Sequence, residues 1–128
     1  VPSDLLGTRL QLSPADFLVD ALPTGSDVVR LSRILHDWGD DTCLDILRSC
    51  RTAAASDAVL VIHEEVLDSD LCGPPYAATN SLYLSITLPQ ARNRTREEID
   101  SLLVQTGWSR TEKAATSCRF TTLLAQAV

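Results

Sequence analysis

The chain lacks a glycine-rich loop. Its five glycines, Gly7, Gly25, Gly39, Gly73 and Gly107, are spread so widely that no two form a GxG. A phosphate or cofactor loop of the GxGxxG kind is therefore absent from these 128 residues. Long apolar runs are missing too: none approaches the roughly 20 residues that a bilayer-spanning helix needs. The opening "VPSDLLGTRL" has neither the charged nor the apolar region of a signal peptide. Positive charge is scarce, with 11 Lys and Arg against 17 Asp and Glu and a net charge of −6. No basic patch marks a nucleic-acid interface. None of the four cysteines, Cys43, Cys50, Cys72 and Cys118, forms a CxxC. They read as reduced, mostly buried thiols, which points to the cytoplasm.

What remains suits one soluble domain with a modest core, at 45% hydrophobic residues. Arg9 to Leu12 is a short strand candidate. Asp27 to Leu35, "DVVRLSRIL", reads as a mostly buried strand. Asp40 or Asp41 can cap a helix running to about Ala55, with Cys43, Leu47, Cys50 and Ala54 at helical spacing. Ala58 to Ile62, "AVLVI", is a continuous apolar strand of the type buried on both faces. Tyr76 to Leu88 is a second helix. Thr95 and Glu98 form a capping box for a third, which stops at Gly107. Two strands close the chain. The order β, β, α, β, α, α, β, β predicts an α/β fold, a mostly parallel sheet with an antiparallel edge and helices on both faces.

Ligands of such sheets bind beyond the carboxyl ends of the strands. His36 and Glu64 each lie just past one. If the two strands are neighbours, the side chains share a crevice. His36 then has a partner for one ring nitrogen and can take a proton from a hydroxyl with the other. Alone, either residue is equally well a polar group at a strand end. Glu65 should point away into solvent. Trp38 either stacks on a flat ligand or packs in the core. Asp37, Asp40 and Asp41 fit no metal-ligand spacing, and "HEEVL" has Leu67 where HExxH needs histidine, so no metal is expected. A metal-dependent hydrolase built on His36, Asp37 and His63 is a distant alternative.

Three segments, "RILHDWGDDTCLDILRSCRTA", "VLVIHEEVL" and "RNRTREEIDSLLVQTGW", in this order and spacing, resemble the S-adenosylmethionine-dependent small-molecule O-methyltransferases of the caffeic-acid and polyketide type. The resemblance runs from about Arg9 to the end. It implies a Rossmann-like methyltransferase sheet, truncated on its N-terminal side, and methyl transfer to a hydroxyl of a small aromatic or polyketide-type molecule. It makes His36 the general base and Glu64, 28 residues on, its supporting carboxylate. It gives Trp38, with Asp16 and Phe17 in "SPADFL", to the cofactor's adenine, and places Ser32 where a cofactor-contacting lysine is usual. On the acceptor side it places Asn80, Tyr83 and Leu84 of "NSLYLS". Asn93 stands where the family has a second carboxylate. Full-length members are homodimers. The family's helical dimerisation domain and GxGxG strand are not matched, so the chain is expected to be the C-terminal part of a catalytic domain, dependent on an upstream cofactor segment. The rival expectation is a non-catalytic α/β module that binds a ligand or a subunit.

Overall fold

A computed structural model describes residues 10–128, with residues 112–114 as backbone only. Strand β1 (Ser26–Ser32) leads through a 3₁₀ turn (Leu35–Asp37) to helix α1 (Asp40–Ala53), which returns the chain to β2 (Ala54–Glu64). Helices α2 (Pro75–Thr87) and α3 (Arg96–Val104) follow, and then β3 (Trp108–Ser117) and β4 (Phe120–Ala127). The four strands lie in the order β1-β2-β4-β3. β1 and β2 are parallel; β4 runs antiparallel to both β2 and β3. The sheet is the expected α/β methyltransferase type with its antiparallel closing edge, and its pairing is mixed.

Handedness decides where the core forms. The crossover from β1 to β2 and the one from β2 to β3 move in the same direction across the sheet. Right-handed crossovers in one direction place their helices on one face. α1 and α3 accordingly cover the same face, where Cys43, Leu47 and Cys50 of α1 meet Leu60 and Ile62 of β2 and Ile99 and Leu103 of α3. Trp108 is buried among them and donates its indole N–H to the Leu47 carbonyl at 3.2 Å. α1 and α3 therefore share one face of the described sheet. β2 alternates, with Ala58, Leu60 and Ile62 buried and Val59 and Val61 only half-buried. β1 is an edge strand of the described sheet, and Val28 is 59% exposed rather than buried.

Other boundaries move for local reasons. Arg9 lies outside the described residues, and Gln11 and Leu12 are irregular, so the first expected strand is not seen there. The strand foreseen to Leu35 ends at Ser32, because Arg33 takes a positive φ of 57° and turns the chain. Gly39, not an aspartate, is the N-cap of α1; Asp40 is its first residue and accepts from Arg94. The capping box holds: the Glu98 N–H donates to Thr95 Oγ1, and the Thr95 N–H donates to Glu98 Oε2. Gly107, at φ +77°, makes the left-handed turn after α3. Two cysteines depart from expectation: Cys43 and Cys50 are buried, but Cys72 and Cys118 are exposed, all four as free thiols.

Candidate active site

The parallel register sets Ser32 opposite His63, so β1 and β2 end side by side. The chain leaving β1 then folds over the end of β2. Glu64 meets it with both oxygens. Oε1 accepts the Ile34 and Leu35 N–H groups, each at 2.9 Å, and Oε2 accepts from His36 Nδ1 at 2.6 Å. A carboxylate on Nδ1 places the proton there, so neutral His36 carries its lone pair on Nε2. The convergence foreseen for His36 and Glu64 is therefore present, and both are buried.

Electrostatics favour the charged imidazole. Burial pulls the His36 pKa down, but the Glu64 hydrogen bond and charge outweigh it, helped by Asp37, whose Oδ1 lies 3.3 Å from Nε2. The net direction is upward from 6.5.

Arg94 fixes the loop that carries His36. Its guanidinium donates to the Leu35 carbonyl at 2.6 Å, the Trp38 carbonyl at 2.7 Å and Asp40 Oδ1 at 2.7 and 3.0 Å. The Arg92 N–H also donates to the His36 carbonyl at 2.9 Å. Sequence reasoning missed Arg94, although it lies inside the quoted "RNRT". No local signal marked it, since its partners lie 54 to 59 residues away in the chain.

Trp38 is half-buried against the core and meets Phe17 edge to face, with centroids 6.1 Å apart and planes at 86°. Asp16 opens the turn before it, its Oδ1 accepting the Leu18 N–H at 3.0 Å. Ser32 ends β1, half-buried. On α2, Asn80 and Tyr83 line an open groove with Tyr76 and Arg119, whereas Leu84 is buried. Asn93 is buried; its Nδ2 donates to the Ala77 carbonyl at 2.9 Å, and its N–H to Ser81 Oγ at 3.1 Å. Asn93 Oδ1 has no partner. Glu65, expected in solvent, is 2% exposed and pairs with Arg119. Leu67, two residues after Glu65, bridges Thr95 in parallel. Among the described residues, no three His, Cys, Asp or Glu side chains cluster as metal ligands, and no helix is long and apolar enough to cross a membrane.

An O-methyltransferase domain model matches residues 3–109. The chain belongs to the S-adenosylmethionine-dependent O-methyltransferase family. It is 39% identical, over 101 residues, to a 3-hydroxy-5-methyl-1-naphthoate 3-O-methyltransferase of Streptomyces sahachiroi, covering 79% of this chain and 29% of that protein. Its fold is similar to that of an O-methyltransferase family 2 protein of Planctomyces limnophilus solved with apigenin, with TM-score 0.80 and 29% identity over 89% of this chain and 33% of that one. It also resembles human N-acetylserotonin methyltransferase solved with S-adenosylmethionine, with TM-score 0.78 and 25% identity over 90% of this chain and 33% of that one. The chain thus spans between about a fifth and a third of the length of these and the other first relatives it matches.

Proposed function

We propose that this chain carries the base and part of the cofactor and acceptor walls of an enzyme that methylates a hydroxyl of a small aromatic or polyketide-type molecule. One observation carries the reading: a buried His36–Glu64 pair at the carboxyl end of neighbouring strands, in a chain of this family.

The residues present fit the methyl donor. Trp38 and Phe17 offer aromatic surface for a flat purine, and Asp16 a carboxylate beside it. Glu64 and Asp37 make the surroundings of His36 anionic, which suits a cationic sulfur. When bound, the donor supplies an electrophilic methyl group.

His36 Nε2 accepts the proton of the acceptor hydroxyl. Glu64 holds the ring and stabilises the imidazolium that forms. A phenol with pKa about 10 faces an imidazole near 6.5, a gap worth roughly 5 kcal/mol. The upward direction at His36 narrows that gap. Proton transfer alone stays uphill, and the bound donor would supply the electrophile that makes it productive. Positioning of the acceptor hydroxyl against Nε2 supplies much of the remaining rate. Asn93 carries no charge, so orientation of His36 rests on Glu64. Asn80 and Tyr83 face the acceptor, and Leu84 and Asn93 back the helix that presents them.

The test is methyl transfer from labelled S-adenosylmethionine in the full-length enzyme with His36→Ala, expected to lose several orders of magnitude. Near-normal turnover would remove His36 from the mechanism.

A further inference from the structure

The turn between β3 and β4 brings a cation to the acceptor side. The Arg119 guanidinium sits over the rings of Tyr76 and Phe120, 6.0 and 5.5 Å from their centroids. Arg33 lies 5.8 Å over the same Phe120 ring, and His63 stacks on that ring at 5.0 Å. A chain of net charge −6 thus gathers two guanidinium groups around one aromatic residue.

Cation–π packing explains the rings but not Glu65. That carboxylate is buried and takes Arg119 through Oε1, while Oε2 has no partner. The parallel bridge of Leu67 to Thr95 sets Glu65 alongside Asn93, and the two line one small pocket with His36 and Glu64. Arg119 is therefore tethered from behind to the pocket of the base. Its side chain is still half exposed, and it borders the groove of Thr79, Asn80 and Tyr83.

We propose that Arg119 is the anchor for a carboxylate on the methyl acceptor, so that the acceptors are aromatic hydroxy acids. This rests on the reading of His36 as the base. Glu65 Oε1 pairs with Nη2 alone, and Arg119 is half exposed where it lines the groove, so the guanidinium keeps N–H groups for a second anion. A carboxylate matches such a fork geometrically, as a neutral phenol does not. Tyr76 and Tyr83 supply flat walls for the ring. Arg33 adds positive charge nearby, and the acidic remainder of the surface disfavours the anion elsewhere. Glu65 offsets part of the attraction, so the anchor selects more than it tightens.

The probes are 3-hydroxybenzoate and its uncharged amide, titrated separately into this chain and followed by backbone amide NMR. The acid is expected to bind about 10-fold more tightly, as a charge-assisted contact implies, with shifts at Asn80, Tyr83 and Arg119. Arg119→Gln should abolish the preference, and Arg119→Lys should keep part of it. Glu65→Gln should keep or strengthen it. Arg48→Gln, on the exposed face of α1, should leave it unchanged. Equal binding of acid and amide, no binding of either, or a preference that survives Arg119→Gln would overturn the proposal. The readout needs no methyl donor. Preference for the acid without methyl transfer in the full-length enzyme would sink the role of His36 and leave this subsite standing; transfer without preference would do the reverse.

Discussion

Glu64 holds His36 from behind. One oxygen accepts the hydrogen bond from Nδ1–H at 2.6 Å, and the other accepts from two backbone N–H groups of the residues just before the histidine. The carboxylate therefore sets the tautomer, the ring angle and the loop with a single side chain.

That arrangement makes Glu64→Gln informative. The amide keeps the shape, but Gln can offer His36 its N–H₂, which favours the wrong tautomer. We expect kcat to fall on the order of 10²–10⁴-fold with little change in KM for the acceptor. Steady-state kinetics in the full-length enzyme checks this; a loss confined to KM contradicts it.

The two pH dependences of His36 should run in opposite directions. Activity requires the neutral ring, so the rate rises with pH through a midpoint above 6.5. A folded pKa raised above its unfolded value contributes stability that is complete below about 6.5 and is lost as pH rises through the folded pKa. Titration of the His36 ring protons by NMR, beside urea unfolding from pH 6 to 9, checks both. A midpoint below 6.5 contradicts them.

Arg94 is the stability test of the loop. Arg94→Ala leaves the Leu35 and Trp38 carbonyls without their strongest donor. We expect a loss of about 2–4 kcal/mol. Arg94→Lys should recover only part, since one ammonium cannot span three partners. Asp40, whose pKa is lowered first by its hydrogen bond to Arg94, gains stability that persists above the unfolded carboxyl range and fades as pH falls through its lowered value. Denaturant melts at pH 7 give the comparison.

Position 93 should resist restoration of a carboxylate. Asn93→Asp would set a negative oxygen against the Ala77 carbonyl and beside the buried Glu65. It is expected to lower the unfolding temperature and not to raise kcat. A faster and equally stable variant would show that the amide has no structural duty.

Thiol chemistry should separate the cysteines into two pairs. Cys72 and Cys118 are exposed and should react quickly with an aromatic disulfide reagent. Cys43 and Cys50 are buried, and burial raises both thiols to about 11, so they should react only on unfolding.

Local chemistry made much of this legible. The capping box at Thr95 and the stop at Gly107 depend on residues within a few positions of one another. The meeting of His36 and Glu64 followed from two apolar runs ending in polar residues, given that the strands pair. Long-range partners were harder to see. Glu65 is buried and paired with a guanidinium from the far hairpin, and Asn93 spends its amide on a carbonyl of another helix. Asp40 falls one residue inside α1, and its carboxylate is bound by Arg94. The common face of α1 and α3 depends on strand order, which an apolar pattern does not encode.

The central claim is that His36 is the base and Glu64 its support. The most direct measurement is the pH–rate profile of methyl transfer by the full-length enzyme, wild type beside Glu64→Gln and His36→Ala. The account predicts one ascending limb above 6.5 in the wild type, displaced downward by Glu64→Gln and absent in a nearly inactive His36→Ala. An unchanged limb in His36→Ala, at comparable rate, would contradict it.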